Sequence, residues 1–137
     1  MRLSTVSLLV GIFTSFSAIA SNDDAFAEAV IKHELANGTM DRKSAFCISI
    51  DGHNVSETLI ARFRDIGLRV MPSQTGCDQR IPFGQPKELK DGTFEVSYGF
   101  FTPECANCSP QGHALFATMS RDKDGWRVLA IRGGVWL

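Results

Sequence analysis

The second half of the chain alternates apolar and polar residues in short segments, and this pattern constrains the fold more than any other feature. One segment has an apolar residue at every second position: Phe94, Val96, Tyr98 and Phe100. A period of two residues is typical of a β-strand with one buried face. Asp91-Gly92 and Asp124-Gly125 are hairpin turn signals. We therefore predict antiparallel hairpin strands at about 87–90, 93–102, 112–120 and 126–132.

The first half of the chain carries helical signals instead. In residues 23–36 the apolar residues recur at helical spacing, and Asn37-Gly38 is a stop signal. A second helix is predicted to begin at Ser56, which is a suitable N-cap, and to end near Gly67. Between the two helices, residues 45–50 alternate as a strand does and carry Cys47 in their middle.

Helices early and strands late in the chain predict the α+β class. We expect a single domain over residues 21–137, in which two N-terminal helices pack on a curved antiparallel meander of four to five strands, stabilised by disulfides. The element order is similar to that of cystatin-like and NTF2-like rolls, but the chain carries no residue motif of either family. Residues 71–86 are interpreted as a long irregular segment, which we expect to cover the second face of the sheet together with Val135, Trp136 and Leu137.

Residues 1–20 have the pattern of a cleaved signal peptide. Arg2 precedes an apolar run, and Ala18 and Ala20 form an A-x-A pattern. A membrane anchor is the alternative, but the run is shorter than the roughly 20 residues of a spanning helix. The sequence therefore predicts a periplasmic or secreted protein with no membrane span in its mature chain.

Charge narrows the choice of partners. The formal net charge is −1, and removal of Arg2 with the signal peptide makes it one unit more negative. A chain with this slightly negative net charge lacks the excess of positive charge that is typical of nucleic-acid-binding proteins. We expect the partner to be another protein or a component of the cell envelope, and the sequence leaves the oligomeric state open.

All four cysteines lie after the predicted cleavage point. An even number of cysteines in an exported domain favours disulfides over free thiols, and four cysteines allow three pairings. The short separation of Cys105 and Cys108 favours a local bridge, which leaves Cys47 to pair with Cys77.

The C-x-x-C spacing of Cys105 and Cys108 has three interpretations. A structural bridge is favoured, because the motif lies in a hairpin loop without the following helix or the basic residues that stabilise a reactive thiolate. A metal site would add His113 as a third ligand, but no paired spacing supplies a fourth. No catalytic motif is present in the sequence. We therefore predict no catalytic residues, no metal and no cofactor.

The binding residues are predicted on and around this loop and on the late strands. Phe100 and Phe101 are adjacent, so one of the two rings must lie on the face of the sheet away from the helices. The candidate binding residues are Phe101, Glu104, Asn107, His113 and Trp136.

These residues support two hypotheses about function. The first is an exported, non-enzymatic binding module of the cell envelope, of the inhibitor or immunity type. The alternative is a small thiol-disulfide or metal-binding envelope protein centred on Cys105 and Cys108.

Overall fold

A computed structural model of the chain describes residues 24–103 and 112–136. Within these ranges the protein has two helices and one eight-stranded sheet. The helices are α1 (Ala25–Ala36) and α2 (Glu57–Asp65). The strands are β1 (Ala45–Ile50), β2 (His53–Asn54), β3 (Arg69–Val70), β4 (Gln79–Phe83), β5 (Lys87–Glu88), β6 (Phe94–Phe101), β7 (Gly112–Asp122) and β8 (Gly125–Trp136). Neither helix is long and apolar enough to cross a membrane.

The second helix, α2, begins where the sequence predicts. The Ser56 hydroxyl accepts a hydrogen bond from the backbone N–H of Leu59 at 3.2 Å, as an N-cap does. Val55 and Ile60 flank this cap and are both buried, which is the arrangement of a hydrophobic staple. Local capping therefore sets where α2 begins.

The first helix, α1, buries an apolar stripe against the sheet. Its buried apolar residues are Phe26, Ala27, Val30 and Ile31. The Phe26 ring lies edge-on to Phe83 of β4 and to Trp126 of β8, with both pairs of ring centroids 6.0 Å apart. Edge-to-face contacts of this kind add to the stabilisation from apolar burial. Phe26 thus attaches α1 to two separate strands of the sheet.

The predicted antiparallel meander is present in strands β6, β7 and β8. These strands run longest in the sheet, and each pairs with the next along the chain. The turn at Asp51-Gly52 joins β1 to β2. Both residues have positive φ, at 51° and 81°, as a two-residue hairpin turn of type I′ requires.

The sheet as a whole differs from the prediction of four to five antiparallel strands. It is mixed and has the order β2-β1-β4-β6-β7-β8, with β3 beside β1 and β5 beside β6. Strand β1 runs parallel to both β3 and β4, while β4 runs antiparallel to β6. The early strand β1 is therefore part of the same sheet as the meander.

Strand β4 lies inside the segment 71–86, so the interpretation of that whole segment as irregular was wrong. Ile81 and Phe83 face the core and are buried, while Arg80 and Pro82, which alternate with them, are exposed. The strand is only five residues long, and a proline within a strand lacks the N–H that a central strand normally donates. Because of its short length and its proline, this segment was not predicted to be a strand.

The remaining part of that segment covers the outer face of β1, the face away from the helices. Cys77 forms a disulfide with Cys47, and their Cα atoms lie 5.6 Å apart. The Gln74 side-chain amide donates to the Ile48 carbonyl oxygen at 3.2 Å. Cys47 is fully buried beneath this cover. The expected pairing of Cys47 with Cys77 is thus confirmed, whereas the expected cover by this segment reaches only β1.

On the outer face of the meander, side chains of the strands themselves pack over the sheet. Phe101 lies on this face, opposite to the buried Phe100, and its ring packs over Gly99 and Gly112, where an added Cβ would clash with it. An aromatic ring over sheet glycines replaces the side-chain packing that those glycines lack. Arg132 stacks 4.4 Å above the Phe116 ring and pairs with Glu95. The side chains of residues 135–137, which we also expected to cover this face, lie outside the described residues.

Candidate functional site

A partly open pocket of about 490 Å³ lies between the C-terminal end of α1 and the core face of the sheet. Its floor is apolar and consists of Phe100, Leu115 and Ile131. Its other lining residues are polar: His33, Glu34, Asn37, Thr39, Gln79 and His113. An apolar cavity with a few convergent polar groups is the usual form of a small-ligand site.

The end of α1 forms one wall of this pocket. The backbone N–H of Thr39 bonds to the Glu34 carbonyl oxygen, and that of Gly38 bonds to the Leu35 carbonyl oxygen, both at 3.1 Å. This pair of bonds is the Schellman motif, which requires positive φ at the residue after the C-cap, here Gly38 at 74°. The motif turns the chain back and places the Thr39 hydroxyl against Glu34.

Glu34 is a buried carboxylate with few partners. Its exposed fraction is 5%. The Thr39 hydroxyl lies 3.1 Å from Glu34 Oε2 and 2.8 Å from the Glu34 carbonyl oxygen. A hydroxyl has only one proton to donate, and the shorter distance favours the carbonyl. Thr39 therefore gives the Glu34 carboxylate only the weaker of its two contacts.

No cation compensates this carboxylate among the described residues. Their four ion pairs involve Glu28, Asp122 and Glu95 but not Glu34. The neighbouring His33 ring has its Nε2 atom 3.0 Å from the Asn37 side-chain nitrogen instead. Buried charges in proteins are normally paired, so Glu34 is an exception that requires an explanation.

The Tyr98 hydroxyl is a second buried polar group beside Glu34. It is buried and has no hydrogen-bond partner in good geometry within the described part of the chain. Burial raises the pKa of this hydroxyl above its ordinary value, and the nearby Glu34 carboxylate raises the pKa further, both by its charge and by a hydrogen-bonding contact with the hydroxyl. The hydroxyl therefore stays neutral over the whole physiological range. The Glu34 carboxylate therefore has two neutral hydroxyls beside it, those of Thr39 and Tyr98.

Replacing Tyr98 with phenylalanine is expected to lower the free energy of unfolding at neutral pH by about 1 kcal/mol, because it removes the hydroxyl that lies beside the buried Glu34 carboxylate. The raised pKa also makes wild-type stability decline above pH of about 10, where the unfolded tyrosine ionises first. The Tyr98→Phe variant lacks this alkaline decline. Urea unfolding at neutral and alkaline pH measures both effects.

The chain contains one tyrosine, so its ultraviolet absorbance reports on Tyr98 directly. Tyrosinate in the folded wild type is expected to appear only well above the ordinary tyrosine pKa of about 10. Ionisation at the ordinary pKa in the folded protein would contradict this account of the site.

Of the five predicted binding residues, Phe101 and His113 are those whose side chains the structure describes, and His113 lies at the pocket. The His113 ring centroid lies 5.9 Å from that of Phe100. Phe101 lies on the opposite face of the sheet. The backbone of Trp136 pairs with that of His113, while the Trp136 side chain, Glu104 and Asn107 lie outside the described residues.

The C-x-x-C motif also lies outside the described residues, so the interpretation of Cys105 and Cys108 stays a prediction. Within residues 24–103 and 112–136 no group of three or more His, Cys, Asp or Glu side chains is arranged to hold a metal ion.

Sequence reasoning missed Glu34 and Tyr98. A signal for Glu34 was present, because Ala27, Val30 and Ile31 are the buried stripe of α1 and Glu34 continues that stripe at helical spacing. A carboxylate on the apolar face of a helix is unusual. Tyr98 carried no comparable signal, since tyrosine is ordinary on a half-buried strand.

A second cleft, of about 550 Å³, lies near the start of α1 and the β7–β8 turn. Its charged groups largely satisfy one another. Glu28 pairs with Lys32 at 3.3 Å and with Arg62 at 2.7 Å, and the Arg121 guanidinium lies 5.4 Å from the Trp126 ring centroid. This cleft offers fewer unused polar groups than the pocket beneath α1.

Comparison with family models, with curated proteins and with solved structures finds no match for this chain. Its function must therefore be inferred from the pocket itself.

Proposed function

We propose that this protein is an exported, non-enzymatic binding module that takes part of another protein, or of an envelope component, into the pocket beneath α1. The observation that carries the proposal is the combination of an apolar floor with the buried Glu34 carboxylate, which forms no ion pair among the described residues. Such a group is satisfied when a ligand with complementary donors enters. The protein would act by holding its partner, as an inhibitor or immunity protein does.

Export is the second part of this proposal. It rests on the signal-peptide pattern of residues 1–20. The Cys47–Cys77 disulfide is compatible with an oxidising compartment, where such bonds persist. Intact mass and N-terminal analysis of protein recovered from the periplasm and the medium would test it. Cleavage after Ala20 is expected, and retention of residues 1–20 in the membrane fraction would contradict it.

The binding role is tested by occluding the pocket and following isotope-labelled protein by NMR during titration with fractionated envelope extract. Binding is expected to shift amide signals of residues that line the pocket. Asn37→Trp places a bulky ring at the exposed rim and should abolish these shifts. Leu129→Arg is the matched control, because Leu129 is 51% exposed on β8 and does not line the pocket.

Two results would count against the binding role. Shifts that survive Asn37→Trp unchanged would place binding elsewhere on the molecule. Shifts that vanish equally in Leu129→Arg would show that the effect is not specific to the pocket.

The alternative function, in a thiol-disulfide or metal-binding protein, has a separate test. Thiol alkylation before and after mild reduction, with metal analysis of the same sample, reports on Cys105 and Cys108. Resistance of all four cysteines to alkylation, without bound metal, supports the binding module. Free, metallated or selectively reducible Cys105 and Cys108 would favour the alternative.

A further inference from the structure

We propose that the pocket beneath α1 recognises a primary ammonium group on an aliphatic stem, with Glu34 as the anionic partner of the ammonium. This inference rests on the proposed function, because it names the class of group that the binding pocket accepts. It follows from the charge and the hydrogen-bonding needs of the described side chains.

Charge is the first argument. Glu34 is a buried residue, with an exposed fraction of 5%, yet its carboxylate forms none of the ion pairs seen among the described residues. Removing a carboxylate from water is costly unless a cation or several hydrogen bonds replace the water. A ligand cation would supply the missing partner, and the energetic cost of burying Glu34 would then favour binding.

Hydrogen bonding is the second argument. An ammonium group has three donors and no acceptor. The pocket lining offers acceptors of the matching kind: the Glu34 carboxylate oxygens and the Thr39 hydroxyl oxygen beside them. A carboxylate ligand is excluded by repulsion from Glu34, and a neutral hydroxyl can donate only one hydrogen bond.

Shape is the third argument. The floor of the pocket is formed by Phe100, Leu115 and Ile131. An alkyl stem would remove apolar surface of this floor from water, and the aromatic ring of Phe100 favours a nearby cation. The same chemistry occurs in a free alkylamine and in the lysine side chain of a partner protein.

The test uses isothermal titration of the full mature chain at a pH of about 8, where histidine is ordinarily neutral. The probes are hexylammonium, hexan-1-ol and hexanoate, which share one stem and differ in the head group. Hexylammonium is expected to bind about ten-fold or more tightly than hexan-1-ol, since a charge-assisted hydrogen bond exceeds a neutral one. Hexanoate is expected not to bind.

Variants assign the effect to the carboxylate. Glu34→Gln keeps the shape of the side chain and should reduce the preference for hexylammonium over hexan-1-ol to near unity. Glu28→Gln is the matched control, because Glu28 lies on the same helix but lines the other cleft, where it already pairs with Lys32 and Arg62. The control should keep the full preference. Thermal melting confirms that both variants fold.

The outcomes separate this inference from the proposed function. Equal binding of hexylammonium and hexan-1-ol by the wild type would overturn ammonium recognition and leave the binding pocket in place. No binding of any probe would overturn both. A preference that survives Glu34→Gln would overturn the role of Glu34.

A further pair of probes distinguishes the two sources of the ammonium. One is a glycine-flanked lysine peptide, and the other is the same peptide with norleucine in place of lysine. Binding of the lysine peptide alone identifies a protein side chain as an accepted source. Binding of hexylammonium without the lysine peptide identifies small amines. Both results support ammonium recognition, and tighter binding of the norleucine peptide would overturn it.

Discussion

Replacement of Cys47 and Cys77 with alanine is expected to lower the free energy of unfolding by about 3 to 4 kcal/mol. The bridge closes a loop with a sequence separation of 30 residues. In the chain-entropy model, cross-linking a loop of this size lowers the entropy of the unfolded chain, which stabilises the folded state by about 3 to 4 kcal/mol. The bridge also attaches residues 71–78 to the outer face of β1. Urea unfolding of the double variant measures the loss.

The matched comparison is the double variant Cys105→Ala with Cys108→Ala. A bridge between these two cysteines would close a much shorter loop, so its removal is expected to cost clearly less than removal of Cys47–Cys77. An equal or larger loss from the Cys105 and Cys108 variant would contradict this ranking. It would also show that the C-x-x-C loop contributes more than a local constraint.

Replacement of Phe26 with alanine is expected to lower the free energy of unfolding by about 3 to 5 kcal/mol, the usual cost of removing a buried phenylalanine ring. Phe26 is fully buried and contacts Phe83 and Trp126 edge-on. The ring therefore connects α1 to strands that lie well apart in the sheet order. Chemical denaturation measures the loss, and the melting temperature should fall with it.

The control for Phe26 is Leu129→Ala, which truncates a large apolar side chain that is 51% exposed. Surface substitutions of this kind usually change stability by about 0.5 kcal/mol or less. A small loss in Phe26→Ala, similar to the control, would show that α1 docks on the sheet without depending on this ring. Such a result would also weaken the view that α1 forms a fixed wall of the pocket.

The position of α1 matters for the binding role because Glu34 and Thr39 depend on it. Glu34 lies in the last turn of α1 and Thr39 follows the end of the helix, while the sheet supplies the apolar floor of the pocket. A change that loosens α1 would therefore weaken ligand binding as well as stability. Variants at the pocket rim are expected to change binding with little change in stability.

Much of the local structure could be predicted from the sequence. The cap at Ser56 and the staple of Val55 with Ile60 indicated α2, and period-two alternation indicated β6, β7 and β8. The opposite orientations of Phe100 and Phe101 followed from the same alternation. These signals are local, because each depends on residues within a few positions of one another.

The arrangement of the sheet could not be predicted in the same way. Alternation marks Ala45–Ile50 as a strand but does not say which strand lies beside it. Insertion of β4 between β1 and β6, parallel to one and antiparallel to the other, depends on pairing between distant segments. Pro82 further weakened the local signal for β4.

The sequence by itself determined where the helices and the long strands form and favoured the pairing of Cys47 with Cys77, because periodicity, capping and loop closure act along the chain. Only the tertiary structure decided that the sheet is mixed and that Glu34 of α1 lies beside Tyr98 of β6. Burial of two apolar faces against each other brings these distant groups together, and no local pattern records which polar side chains meet within that contact.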